Sequence, residues 1–579
     1  MRRRMLAAAM LCLFSVSFQT PANADDKQTL GWACPELTAL LYVRKSAAPA
    51  PTSGARFNAE QYVLRAHLSD TGTWGVAPGW QFSEGEFVLR VAGVVTGKAV
   101  SKSKSWDATF DQTLTPSALQ SLPDIVKAEY AVKGTEGDLT TIRVKATGED
   151  SDGENTFANR RCGPLTIEMD AVFDVAKGWL HGVKGSWKGA GMRGDVNVDF
   201  EYALERVKSF ADRAALDKAV ETAIDKGLEA MDAREDDYRR GDYASLAAYT
   251  YLQSGRGANN KFTALALSRM TKEGNVLKYI QTYHAASMVL ALEAKYISDE
   301  ERRQVAKGQR PGAIKRILTE ADKAAMKDAI DYIARSQAGD APGLFSYGEG
   351  IGAGQPPDLS NTQFAALALA AAARCEIEIP VGIVRDMGNG LVDFQQKEGP
   401  EVWRVKGRTK RGAWDRERYP DASRGFAYKG TAGGTSGAYG SMTGAGTCSL
   451  LLLLDIYESW PSERQKKELP SSQAKQWEVS VQKNADCGMA WLENNYSVSE
   501  NPGHAAGEYF YYLYALERVG AFAPTEFIGE HEWYAEGALA LLLRQNDKGG
   551  WGKLEDTCFA LLFLGRATTP TRRRVITGK

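Results

Sequence analysis

The turn Gln545-Asn546-Asp547-Lys548-Gly549-Gly550-Trp551-Gly552 and the run Thr557-Cys558-Phe559-Ala560-Leu561-Leu562-Phe563-Leu564 constrain this chain more than any other feature. They read as the end of an amphipathic helix, a glycine turn carrying a tryptophan, and a helix apolar on nearly every side. Such a helix must be surrounded by protein. Where it recurs after each amphipathic helix, the chain builds an inner ring of helices inside an outer one.

The pattern does recur. From about Ser209 the period is helical, and the helices pair into six hairpins: residues 217–231 with 242–252, 261–270 with 279–294, 325–337 with 361–374, 384–396 with 443–457, 481–494 with 509–519, and 533–545 with 557–565. The later hairpins share one order of features, the mark of an internal repeat. Gln337 precedes Gly343-Leu344-Phe345-Ser346-Tyr347-Gly348, Gln396 precedes Gly425-Phe426-Ala427-Tyr428, and Gln545 precedes Gly550-Trp551-Gly552. A polar connection from Ser298 to Lys323 separates the second hairpin from the third.

Upstream the period is that of strands. Tyr62–Leu68, Glu86–Val91, Thr141–Ala146 and Val196–Phe200 alternate between apolar and polar residues, with turns such as Glu149-Asp150-Ser151-Asp152-Gly153 between runs. Asp174–Leu180 reads as a hairpin turn entering a further strand. The expected fold class is α+β multidomain: an N-terminal antiparallel β domain followed by an α6/α6 toroid. The β domain carries no catalytic constellation and reads as an accessory or protein-partner-binding unit.

The first residues set an address. Arg2, Arg3 and Arg4 precede an apolar run from Met5 to about Phe18, and Ala22-Asn23-Ala24 offers small residues for cleavage. This is the pattern of a removable export signal over residues 1–24, which places the mature chain in the periplasm or outside the cell. No later run approaches the ~20 apolar residues of a membrane-spanning helix. Without the three arginines, 68 basic residues face 72 acidic ones, a balance that gives no reason to expect a nucleic-acid partner. Outside the cytoplasm Cys34 and Cys162 are free to form a disulfide, although spacing does not establish their pairing. Cys375, Cys448, Cys487 and Cys558 lie in or beside apolar helical runs and read as small buried hydrophobes.

The Gln-x-x-x-Gly-Gly-Trp pattern at Gln545–Trp551 and the helix Asn361-Thr362-Gln363-Phe364-Ala365-Ala366-Leu367-Ala368-Leu369 resemble prenyltransferase/squalene-cyclase repeats. The resemblance implies an α6/α6 toroid over about residues 210–567, after a β-rich accessory domain over 25–205 and before a basic tail over 568–579. It implies no single activity, because one fold hosts many chemistries. The family's cyclases use an Asp-x-Asp-Asp-Thr-Ala acid motif. Asp358-Leu359-Ser360-Asn361-Thr362-Gln363 keeps only the first acid and the threonine. Serine is too weak an acid to protonate an alkene, and Asp358 is expected to cap a helix. The family's protein prenyltransferases bind zinc through Asp-x-Cys and a His. Asp556-Thr557-Cys558 has that spacing, but no histidine follows it, and His504 is the nearest substitute. Asp556 as a cap and Cys558 as packing is the competing reading, so no metal ligand is assigned. The Gly-Cys-Gly-Glu-Gln of thioester domains is absent. Gly433-Gly434-Thr435-Ser436-Gly437 lacks the Gly-Lys-Ser/Thr ending of a phosphate loop. No cofactor is implied.

The candidate site residues lie at the starts of inner helices and in the loops leading to them. For catalysis they are Asp358, Glu508, Glu555 and Asp556, with His504 as base or ligand. For binding, Trp403, Arg404, Arg411 and Trp414 share a connection between an outer and an inner helix. Guanidinium and indole there suit an anionic or carbohydrate ligand. Tyr509, Tyr511 and Tyr512 would line a central cavity suited to an apolar one. His531-Glu532 lacks the second His of a metalloprotease helix, and His531 reads as a loop or helix-start residue. The leading expectation is an exported binding or interaction scaffold. The alternative is an enzyme acting in the toroid cavity on an isoprenoid, lipid or polysaccharide.

Overall fold

The computed structural model describes residues 37–45, 61–68, 74–76, 88–89, 91–92, 105–111, 125–149, 165–191, 194–239, 243–270, 281–307, 309, 316–339, 341–348, 356–408, 414–419, 422–429, 437–504 and 507–568. The expected export signal over residues 1–24, Cys34, Cys162, Arg411, Gly433–Ser436 and the basic tail beyond Thr568 lie outside them.

Alternation builds the first unit. Its strands are β1 (Leu37–Arg44), β2 (Gln61–Leu68), β3 (Trp74–Val76), β4 (Ser105–Asp111), β5 (Ile125–Glu136), β6 (Leu139–Glu149), β7 (Leu165–Asp174), β8 (Trp179–Gly191) and β9 (Gly194–Phe210). They form one nine-stranded antiparallel sheet in the order β3-β2-β1-β9-β8-β7-β6-β5-β4. Along β7, Leu165, Ile167, Met169, Ala171 and Phe173 are buried while Thr166 and Glu168 face out, as a period of two requires. On the outer face Asp170 meets Arg143 at 2.6 Å and Lys133 at 3.0 Å.

The described residues of the expected strand Glu86–Val91 are not in a strand. Val88, Leu89, Val91 and Ala92 are helical and buried in the core of the sheet, and the Tyr130 hydroxyl donates to the Val91 carbonyl at 2.7 Å. Over a run this short, period alone does not separate a strand from a buried helical turn. β9 also continues past the expected end of the β region, to Phe210. Strand alternation then serves two cores. Leu40 and Tyr42 of β1 enter the sheet's own core, whereas Ala39 and Leu41 enter that of the helices.

The helices are α1 (Arg213–Asp232), α2 (Glu235–Arg239), α3 (Ala244–Gln253), α4 (Lys261–Met270), α5 (Thr282–Ala294), α6 (Asp299–Ala306), α7 (Glu320–Arg335) and α8 (Leu359–Arg374). They continue with α9 (Ile383–Phe394), α10 (Gly440–Ser459), α11 (Ser462–Glu468), α12 (Ser471–Asn494), α13 (Tyr509–Phe522), α14 (Trp533–Arg544) and α15 (Leu554–Leu564). α6 occupies part of the expected polar connection, with the Ser298 hydroxyl accepting from the Glu301 amide at 3.1 Å to start it.

Burial separates two kinds of helix. α7 buries a stripe of Met326, Ala329, Ile330, Tyr332 and Ile333, the spacing of one amphipathic face. α8 buries nearly every residue from Leu359 to Ala372. The fully enclosed helices contact one another in succession, α3 to α5, α8, α10, α13 and α15, and α15 returns to α3. They form a closed ring of six. α1, α4, α7, α9, α12 and α14 pack outside it, and α14 also touches β1 and β9. There the Arg206 guanidinium donates to the Leu543 and Gln545 carbonyls at 3.3 and 3.2 Å.

The repeated motif has a common geometry. In three hairpins a threonine on the inner helix accepts from the amide of the turn's aromatic residue. Thr362 takes Phe345 at 3.1 Å, Thr443 takes Phe426 at 3.1 Å, and Thr557 takes Trp551 at 3.0 Å. The glutamine ending the outer helix holds the turn's glycine. Gln337 accepts from Gly343 at 3.1 Å, Gln396 accepts from Gly425 at 2.7 Å, and Gln545 donates to Gly549 at 2.7 Å. Thr443→Val keeps the volume but leaves the buried Phe426 amide without its acceptor, at a cost of about 1–3 kcal/mol. A urea midpoint unchanged from wild type would show that the hydroxyl does not clasp the turn.

Candidate functional site at the mouth of the ring

Each inner helix follows an antiparallel outer partner, so all six inner helices begin at the same end of the ring. The acids expected to matter sit there. Asp358 caps α8: its carboxylate accepts from the Asn361 amide at 2.9 Å, the Ser360 hydroxyl at 2.6 Å and the Asn361 side chain at 2.6 Å. Asp556 accepts from the Lys553 amide at 3.0 Å at the start of α15. Burial pushes the Asp556 carboxyl above its ordinary value, with Glu555 and Glu508 adding to the rise against the Lys553 amide. Glu508 stands immediately before α13 with φ +52, and Glu555 lies 3.8 Å from the Lys553 ammonium. The charges of Glu508 and Asp358 both raise the Tyr439 hydroxyl, after burial as the first cause. The four acids therefore share one mouth.

His504 is exposed and stacks on Tyr439, ring centres 4.6 Å apart. Cys558 does not join it or Asp556. The thiol is fully buried and pushed up to about 12 by that burial, with Thr250 as its hydrogen-bond partner. Among the described residues no group of three or more His, Cys, Asp or Glu is placed to hold a metal ion.

Within the mouth lies a belt of aromatic rings. Tyr283 of α5 contacts Tyr347 at 6.1 Å and Phe364 of α8 at 6.3 Å between ring centres. Phe364 contacts Tyr511 and Tyr514 of α13 at 6.5 and 6.1 Å. Phe559 of α15 contacts the same tyrosines at 5.5 and 5.0 Å. Tyr283, Tyr347, Tyr428, Tyr439 and Phe559 keep part of their surface exposed, so the belt is open toward the mouth. Tyr347 and Tyr428 join hydroxyls at 2.8 Å, and the Tyr511 hydroxyl donates to Gln363. Gln363 donates in turn to Cys448 at 3.2 Å.

A buried ion pair lies beneath the belt. Arg518 is 4.0 Å from the Tyr514 ring centre, donates to Glu517 and Thr568, and reaches the Tyr249 hydroxyl at 3.2 Å. Burial holds the Glu517 carboxyl above its ordinary value despite Arg518.

Several binding candidates fall elsewhere. The connection expected to offer guanidinium and indole to a ligand is a two-stranded hairpin, β10 (Val402–Arg408) with β11 (Trp414–Tyr419), with Trp403 opposite Arg418 and Arg408 opposite Trp414. Arg404 is buried and paired with Glu493 at 2.7 and 3.1 Å. It anchors the hairpin to α12 and is unavailable to an anion. Tyr509 donates to the Val498 carbonyl at 2.7 Å and accepts from Arg544 at 3.0 Å. Tyr512 packs against Gly440 of α10, so of the three tyrosines only Tyr511 belongs to the belt. His531, at the start of α14, is held by Glu536 at 3.0 Å and stacks on Tyr496.

As site residues, Tyr283, Phe364, Phe559, Tyr347, Tyr428 and Arg518 escaped the sequence reading. A signal for two of them was present: Thr362-x-Phe364-Ala365 recurs as Thr557-x-Phe559-Ala560. The threonine turns outward to clasp its turn, and two residues on, about 200° around the helix, the phenylalanine faces the ring's centre.

No protein-family model and no curated protein matches this chain. Fold and site together define an α+β protein whose helical ring carries an acid-rimmed aromatic mouth. Among its described residues no helix is long and apolar enough to cross a membrane.

Proposed function

We propose that the chain is an exported binding scaffold on an α6/α6 toroid of the prenyltransferase/squalene-cyclase type, with its ligand seated in the aromatic mouth. The observation that carries this reading is the engagement of Asp358. Both its oxygens are committed to the first turn of α8, so its place is taken by capping rather than proton delivery. Asp556 is likewise tied to the Lys553 amide. What remains open to solvent is a set of aromatic faces, the usual lining of a small-ligand site. The β domain, exported with the ring, would offer a surface to a protein partner.

A second reading is favoured by the convergence of Asp358, Glu508, Glu555 and Asp556 on one mouth. It is an enzyme acting there on an isoprenoid, lipid or polysaccharide. Clustered acids, one of them, Asp556, with a raised carboxyl, are a mark of active sites. One experiment separates the two. The protein is recovered from outside the cytoplasm, incubated with extracted envelope lipids and glycans, and analysed by mass spectrometry. A scaffold retains a species unchanged, and a chemically altered species would establish the enzyme instead. The recovered chain should begin at Asp25, and an intact Met1 would overturn export.

A further inference from the structure

We infer that the aromatic mouth recognises a cationic ligand: a small molecule bearing an ammonium group that seats against the rings of Tyr283, Phe364, Tyr511 and Phe559 beneath a rim of carboxylates. The inference rests on the binding reading above and names the chemistry of that same site.

Two observations on different residues point the same way. The belt comes from four separate inner helices, α5, α8, α13 and α15, so rings from different helices meet at one place. The face of an aromatic ring carries negative potential and attracts a cation. The rim adds Asp358, Glu508, Glu555 and Asp556. Lys553 is largely exposed, and Lys429 lies over the Tyr428 ring at 5.3 Å. That lysine shows a rim ring already holding an ammonium from the chain itself.

The alternatives fit less well. An anion would meet four carboxylates, and Arg518 is already committed to Glu517, Thr568 and Tyr249. A hydrocarbon would strip water from the rim acids without compensation, which costs several kcal/mol per charge. A cation meets both surfaces at once. Burial is the main cause of the raised Asp556 carboxyl, and Glu555 and Glu508 add a repulsion that a bound cation would relieve.

The test uses full-length protein and three probes in calorimetric titration: choline, its neutral isostere 3,3-dimethylbutan-1-ol, and glucose. Choline should bind at one site per chain, about 10-fold more tightly than the isostere, the scale of a desolvated cation–π contact. Glu555→Gln should weaken choline several-fold and leave the isostere unchanged. Its side chain is 25% exposed, so the substitution tests charge without disturbing the core. Phe559→Leu should weaken both probes. If it lowers the folded fraction by circular dichroism, Glu555→Gln decides alone. Equal binding of choline and isostere, or no effect of Glu555→Gln, overturns the cation and leaves an apolar mouth. Saturation by glucose alone makes the mouth a carbohydrate site. No heat with any probe removes the cation, while retention of another envelope species would still uphold the scaffold.

Discussion

Replacing Trp551 with alanine is expected to destabilise the helical ring by about 3–5 kcal/mol, the range for truncating a fully buried aromatic side chain. Trp551 is 0% exposed and donates its indole N–H to the Leu541 carbonyl at 2.9 Å. Its ring lies against Gly227 of α1, where any side chain would strike it at 2.8 Å. The same turn is fastened to α1 by the Gln545 amide, which donates to the Ala223 carbonyl at 2.8 Å. Gly549 adopts φ +85 with the Lys226 carbonyl 2.5 Å from where a Cβ would stand. The sixth hairpin therefore locks onto the first through this turn, and the loss falls where the ring closes. Urea unfolding followed by helical circular dichroism measures it. A variant with the wild-type midpoint would show that closure does not depend on the tryptophan.

Glu293→Gln should cost about 3 kcal/mol at neutral pH, because removing one member of a buried pair strands the other charges. Glu293, on α5, accepts from Arg374 at 2.5 and 2.8 Å and from Arg316 at 3.4 Å. Arg316 keeps Glu301 at 2.5 and 2.6 Å, so Arg374 bears most of the loss. Burial alone would raise the Glu293 carboxyl, but Arg374 and Arg316 outweigh it and hold it below its ordinary value. A carboxyl lowered in the folded state stabilises fully above its unfolded pKa of about 4.3. That contribution disappears as pH falls through the lower folded value. The gap between wild type and Glu293→Gln should thus be wide at neutral pH and close in acid. A gap that persists unchanged at pH about 2 would assign the effect to packing rather than charge.

The helical half was legible because its signals are local. The six hairpins read from period and punctuation correspond to the pairs α1 with α3, α4 with α5, α7 with α8, α9 with α10, α12 with α13, and α14 with α15. The capping role expected of Asp358 is the one it performs. Elsewhere local signals failed for physical reasons. Glu86–Val91 alternates, yet its described residues are helical inside the sheet. Arg404 sits among charges and aromatics that suggest an exposed loop, but a partner 89 positions away, Glu493, draws it inside.

The sequence by itself determined the change of period near residue 209, the succession of amphipathic and enclosed helices, and the glycine turns between them. Each depends on residues within a few turns of one another. Only the tertiary structure decided which aromatic side chains share the mouth. Phe364 and Phe559 are separated by most of three hairpins and meet through Tyr511 and Tyr514. Ring closure brings them together, and closure depends on the contact between α15 and α3. No local propensity encodes a contact between the last repeat and the first; it follows from the rotation that accumulates as each hairpin packs on the one before.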